Sequence, residues 1–357
     1  MRPLRPLPYT TAWVVVALCV SAAAAAADGQ QPAAPPTRTE TIRTEEVRFH
    51  QGEITLAGEV HVPSSNLPAP AVVLIHGSGP SDRSQAWASA FARGLAERGV
   101  AVLLPDKRGS AASGGDWKEA SFEDLADDAI AGLEVLRRIE GVDSGRIGAL
   151  GLSQGGHIAP LAASRSSRIA FVVNVSGSAV PITEQVIDEV EKLAERRGFS
   201  PGQIDRVNTL HRAAIRYALT GEGWDEYEAD LAAALESDLA GHGVVEPFPR
   251  TRDHWVWSWA RLVGAYDPLP YWQALEVPGL VIYGGQDTQI HVLESVERLL
   301  ATPAGQTGEL TLALFAQAGH GLSRGHGHEY GIRPDVLSLI ASWIAGLAPP
   351  ASVHDSP

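Results

Sequence analysis

The 357-residue sequence predicts an α/β architecture, a mostly parallel sheet with helices on both faces, and three observations carry that prediction. Short apolar runs recur at 71–75, 100–104, 146–152, 169–175, 278–283 and 309–315. Helical patterns separate most of them, the order that a parallel sheet with crossover helices requires. One long stretch, 181–272, breaks the alternation with successive helical patterns and no strand between them, which predicts a helical cap inserted into the fold. With 45% hydrophobic and 20% charged residues, the chain has the composition of a globular protein able to bury a large core.

The chain starts with Arg2 and Arg5, an apolar run from Ala12 to Val20, a small-residue tract from Ser21 to Ala27, and then Asp28. That order predicts a signal peptide over 1–27, cut between Ala27 and Asp28, and export to the periplasm or the exterior. The apolar run is short for a membrane span, so no stable membrane insertion is expected after cleavage. Cys19, the single cysteine, follows Leu18 where a lipid-anchored cysteine wants a small residue, and cleavage would remove it. The mature chain is then expected to hold neither thiol nor disulfide and to rely on packing. The formal charge of −14 becomes more negative once Arg2 and Arg5 are gone, which argues against nucleic acid as a partner.

A stretch rich in Pro, Ala and Thr reads as a flexible lead-in over 28–40, leaving 41–180 and 273–348 as the core and 349–357 as a tail. The segments Glu46 to His50 and Ile54 to Val62, arranged around Gly52, predict an antiparallel hairpin at a sheet edge. Ser121 is placed to cap a helix with Asp124 three residues on. Phe122, Leu125, Ala129, Leu133 and Leu136 form its apolar stripe, and Gly141 is expected to end it. Inside the cap, Ser200-Pro201-Gly202-Gln203 combines a cap residue, proline at the first helical position and glutamine at the capping-box position.

The chemistry is carried by Gly151-Leu152-Ser153-Gln154-Gly155-Gly156, with a strand-like run before it and a helical one through Ala163 after it. This is the G-x-S-x-G nucleophile elbow, in which a sharp strand-to-helix turn holds a serine in a strained conformation and exposes its hydroxyl. A serine hydroxyl is a weak nucleophile at neutral pH and needs a base, with an acid to fix the base's tautomer. Such sites run in the order Ser, acid, His. Asp287 in Gly284-Gly285-Gln286-Asp287-Thr288 follows the run 279–283, and His320 in Ala318-Gly319-His320-Gly321 follows the last apolar run. An oxyanion hole needs two backbone N–H groups. Gln154, next after the nucleophile, supplies one, and Ser78 in the glycine-rich Leu74-Ile75-His76-Gly77-Ser78-Gly79-Pro80 is the candidate for the other. His76 reads as a brace for that loop. His326, His328 and Glu329 near His320 have neither helical i, i+4 spacing nor a zinc pattern, so no metal and no organic cofactor is expected.

On these residues, together with His76-Gly77-Ser78-Gly79-Pro80-Ser81-Asp82-Arg83 and Asp106-Lys107-Arg108-Gly109, the chain resembles the α/β-hydrolase superfamily, in its secreted esterase and serine-aminopeptidase-like branch. The resemblance covers about Thr41 to Leu347 apart from the cap. It implies Ser153 as nucleophile, Asp287 as acid and His320 as base, under a variable cap between the sixth and seventh strands. It also implies a small-molecule ester or a short acyl or peptidyl compound as substrate. Esterases, acyl transferases and peptidases share these motifs, and the cap decides among them. Trp224, the run His254-Trp255-Val256-Trp257-Ser258-Trp259 and Trp272 are candidates to line an acyl pocket there, or to form its core; alternating tryptophans cannot all face one side of a helix.

Overall fold

The computed structural model describes residues 42–324 and 331–347. The signal peptide and lead-in expected over 1–40, the tail over 349–357, and His326, His328 and Glu329 lie outside them. Strands β1 (Ile42–Gln51) and β2 (Ile54–Pro63) form the predicted antiparallel edge hairpin, with Gln51 paired to Ile54. The strands β3 (Ala69–Ile75), β4 (Ala101–Pro105), β5 (Val142–Leu152), β6 (Val172–Val175), β7 (Gly279–Gly284) and β8 (Leu310–Phe315) complete an eight-stranded sheet in the order β1-β2-β4-β3-β5-β6-β7-β8. β2 meets β4 antiparallel, and every pair from β4 to β8 is parallel. A short ladder of β9 (Ser323–Arg324) and β10 (Gly331–Ile332) lies apart.

Parallel strands buried on both faces read as unbroken apolar runs because neither side meets water. β3 shows this directly: all of it is buried, with Ala71, Val73 and Ile75 in one core layer and Val72 and Leu74 in the other. The second layer is closed by α1 (Ala86–Ala96) through Phe91 and Leu95 and by α11 (Pro334–Gly346) through Val336 and Ile340. The first is closed by α2 (Phe122–Leu136), α3 (Gln154–Arg165), α9 (Val292–Leu300) and α10 (Pro303–Thr307).

Ser121 and Asp124 form the expected capping box at the start of α2, and the five stripe residues are buried. The helix ends at Leu136, however, not at Gly141. Its last buried contact is Leu136, after which Arg138 and Ile139 donate to the carbonyls of Val135 and Leu136 and wind the chain into turns. Gly141 serves the next element instead. With φ +88 it turns the chain into β5, and its carbonyl accepts from Ala69 N at 2.8 Å.

Between β6 and β7 run α4 (Ile182–Arg196), α5 (Pro201–Thr220), α6 (Trp224–Leu235), α7 (Trp255–Val263) and α8 (Leu269–Gln273). α5 carries the capping box of Ser200 and Gln203 with Pro201 in its first turn. These helices pack on a core of their own, in which Tyr217, Trp224, Tyr227 and Trp257 meet edge to face. Trp272 belongs instead to the sheet core. Trp255 and Trp259, one helical turn apart on α7, reach Trp117 at ring-centroid distances of 5.4 and 6.4 Å and fasten the insertion to the sheet layer. Among the described residues no helix is long and apolar enough to cross a membrane.

Candidate active site

β5 ends at Leu152 and α3 starts at Gln154, so Ser153 alone makes the turn, at φ 52 and ψ −116. Residues with a Cβ avoid that region. The elbow closes because its flanking glycines let backbone meet backbone. A Cβ on Gly151 would lie 2.0 Å from the Gly155 carbonyl oxygen, and one on Gly155 would lie 2.1 Å from the Ile75 carbonyl oxygen. Ser153 N donates to Val175 O at 2.9 Å and Gly156 N to Ser153 O at 2.7 Å, which fixes the turn on the strand beside it.

The loops after β7 and β8 carry Asp287 and His320 to the same sheet edge. They are stapled together by Gly285 N to Phe315 O and Gln286 N to Ala318 O, both at 2.9 Å. His320 Nδ1 donates to Asp287 Oδ2 at 2.8 Å, and its Nε2 lies 2.9 Å from Ser153 Oγ. Asp287 is buried and its other oxygen accepts from Gln289 N at 2.8 Å, so the carboxylate is held from both sides. Ser176 Oγ donates to the His320 carbonyl at 2.7 Å, while Trp87 donates to the Gly321 carbonyl at 2.9 Å and lies beside the imidazole. With Nδ1 committed to the carboxylate, Nε2 is the ring atom able to take a proton from Ser153.

Ser78, Ser153, Gln154, Glu189, Trp259 and His320 border one pocket. The amides of Ser78 and Gln154 meet no acceptor among the described residues, which leaves both N–H groups for a ligand. The loop that carries Ser78 is braced twice. His76 donates through Nε2 to Pro105 O at 2.6 Å. Lys107, buried at the end of β4, donates to Gly77 O at 2.9 Å, Gly79 O at 3.1 Å and Gln154 Oε1 at 3.0 Å. One ammonium therefore ties the two proposed oxyanion donors together. Burial pushes it down to about 7, while the Asp128 carboxylate pulls it up. Its neighbours are clamped as well: Arg108 grips Asp128 through two bonds of 2.7 Å, and Arg83 grips Asp106.

Sequence reasoning placed Asp106-Lys107-Arg108-Gly109 in a resemblance and assigned Lys107 no task. A lysine two residues past the end of a buried strand, at the sheet edge where ligands bind, was the available signal. Glu189 and Gln185 were missed because their place over the pocket depends on how α4 docks. Glu189 is buried, and burial first, then the Asp287 charge, raises its carboxyl well above the usual range. Among the described residues no group of three His, Cys, Asp or Glu side chains is arranged to hold a metal ion.

His76, His157 and His211 are each held down to about 4, chiefly by burial. Above about 6.5 they are neutral in folded and unfolded chain alike, so their contribution to stability is complete. As pH falls from about 6.5 to about 4 the unfolded chain takes up protons that the native one refuses, costing up to about 1.4 kcal/mol per pH unit for each histidine. Glu189 and Asp128, both raised when folded, work in the opposite direction but are two groups against three. The urea midpoint is thus expected to fall steadily between pH 7 and 5, and less steeply in His157→Phe. A midpoint independent of pH over that range would contradict it.

The chain matches the model of the alpha/beta hydrolase family over residues 72–330. It is 27% identical over 250 residues to the esterase EstD of Thermotoga maritima, a match that covers 68% of this chain and 53% of that one. The chain thus spans about half the length of this curated relative. Among solved structures, it is similar to an esterase of Pyrococcus furiosus with a TM-score of 0.51 and 18% identity, over 85% of this chain and 88% of that one. It is also similar to an acylaminoacyl peptidase of Pyrococcus horikoshii with a TM-score of 0.51 and 17% identity, over 89% of this chain and 44% of that one. At these identities the structural likenesses speak for the fold alone.

Proposed function

Because the chain belongs to the alpha/beta hydrolase family, we propose that it is a serine hydrolase that cleaves carboxylic esters of small molecules through an acyl-enzyme. The observation that carries this reading is the hydrogen-bonded run from Asp287 through His320 to Ser153 at the wall of a pocket. Ser153 Oγ attacks the ester carbonyl as its proton passes to His320 Nε2, and Asp287 stabilises the imidazolium. The charge that develops on the carbonyl oxygen is met by the N–H groups of Ser78 and Gln154. The tetrahedral species expels the alcohol, which takes the proton from His320. Water then gives a proton to the same nitrogen as it attacks the acyl carbon, and collapse releases the acid while His320 returns that proton to Ser153 Oγ. Every proton is accounted for within this run of residues.

Glu189 favours a second reading, release of an amino-terminal residue from a peptide, since a carboxylate in the pocket suits a substrate ammonium. Burial disfavours its charged form, which weakens that reading in favour of ester hydrolysis. A fluorophosphonate is expected to label the wild-type protein and not Ser153→Ala, and 4-nitrophenyl esters to be turned over faster than aminoacyl anilides. Absence of labelling would overturn the mechanism. Faster anilide turnover, lost in Glu189→Gln, would replace it with the peptidase reading.

A further inference from the structure

A second cavity lies inside the helical insertion and communicates with solvent. Ile182, Val186 and Trp259 line both this cavity and the pocket at Ser153, so the two spaces adjoin at those three apolar side chains. Away from that junction the walls are almost wholly apolar, among them Ala214, Ala218, Phe248 and Trp257. The aromatic side chains of α7 are thus divided: Trp257 faces this cavity, Trp259 faces both spaces, and Trp255 serves the contact with Trp117.

His211 puts a polar ring into this apolar lining. His211 is 3% exposed, its Nδ1 donates to Val207 O at 3.2 Å, and its Nε2 is buried with no partner among the described residues. Because Nδ1 carries the hydrogen and the ring is neutral, Nε2 is an acceptor that no described residue meets. Phe248 packs against the ring at a centroid distance of 4.4 Å and holds its plane.

We propose that this cavity takes the apolar acyl chain of the ester held at Ser153, and that His211 Nε2 accepts a hydrogen bond from a hydroxyl carried far along that chain. This inference rests on the ester-hydrolase reading and adds to it the class of acid: a medium-length acyl group, apolar along its length and hydroxylated near its far end. Each methylene moved from water into the cavity is expected to raise kcat/KM about threefold until the cavity is filled.

The test uses 4-nitrophenyl acetate, decanoate and 10-hydroxydecanoate. The wild-type protein is expected to prefer decanoate over acetate, and 10-hydroxydecanoate over decanoate by about threefold or more. Ala218→Phe, which fills the cavity from α5, is expected to lower the decanoate-to-acetate ratio of kcat/KM at least about tenfold. Ala218→Val is the milder variant should the larger side chain prevent folding. His211→Phe is expected to keep the chain-length preference and lose the preference for the hydroxyl. An unchanged ratio in folded Ala218 variants overturns the acyl-chain site, and an unchanged hydroxyl preference in His211→Phe overturns the role of the histidine. Should no ester be turned over, the ester-hydrolase reading fails instead. The cavity is then read directly by quenching of tryptophan fluorescence with decanoic and 10-hydroxydecanoic acids, where lack of saturable binding overturns it.

Discussion

Ser153→Gly and Ser153→Ala are both expected to lower kcat on esters by about 10⁵-fold or more, and the glycine variant is expected to be the more stable of the two by about 1 kcal/mol. The activity loss follows from removing the one hydroxyl that His320 Nε2 addresses. The order of stabilities follows from the backbone. At φ 52 and ψ −116, any side chain is strained, which costs on the order of 1–3 kcal/mol, and only glycine is free of that cost. Both variants lose the same hydrogen bond to His320, so their difference isolates the strain. Glycine also carries more entropy in the unfolded chain, which offsets part of the gain and sets the net figure near 1 kcal/mol. Chemical denaturation of the two variants at pH 7.5 makes the comparison. Equal stability, or a more stable alanine variant, would show that the turn is relaxed and that the fold stores no strain at Ser153.

Much of this site was legible because its parts are local or follow from topology. Gly151 and Gly155 flank the serine for a steric reason that acts within a few residues, and Asp287 and His320 each follow an apolar run whose end defines the ligand-binding edge of a parallel sheet. The capping boxes at Ser121 and Ser200 were legible for the same reason, since both partners lie within one turn. Gly141 misled because a positive-φ glycine ends helices and also turns chains into strands, and the sequence nearby does not separate the two uses. The insertion was legible as helices but not as a shape. That Ala218, His211 and Trp257 would surround one space, or that Glu189 would descend over the serine, depends on long-range packing of α4, α5 and α7.

Lys107→Met is expected to lower kcat on esters by about 10²–10³-fold, with KM changed by no more than a few fold and the folded state at least as stable as the wild type. The methionine chain fills the same volume but presents no donor to Gly77 O, Gly79 O and Gln154 Oε1. Released from their common tie, the loop of Ser78 and the side chain of Gln154 no longer fix where the two amides point. An oxyanion donor out of line costs much of what a missing one costs. Stability survives because the buried ammonium is itself expensive, as its shift down to about 7 indicates, and removing it relieves that cost. Lys107 is therefore a positioning residue, and pH separates this role from a merely structural one. Three acceptors need three N–H groups, which only the ammonium form possesses. Above about 7 the neutral amine must drop one of them, so wild-type kcat is expected to decline on the alkaline side, and Lys107→Met to lack that decline. If the alkaline decline survives in Lys107→Met, or if KM rises in place of a fall in kcat, the tie does not act through the oxyanion donors.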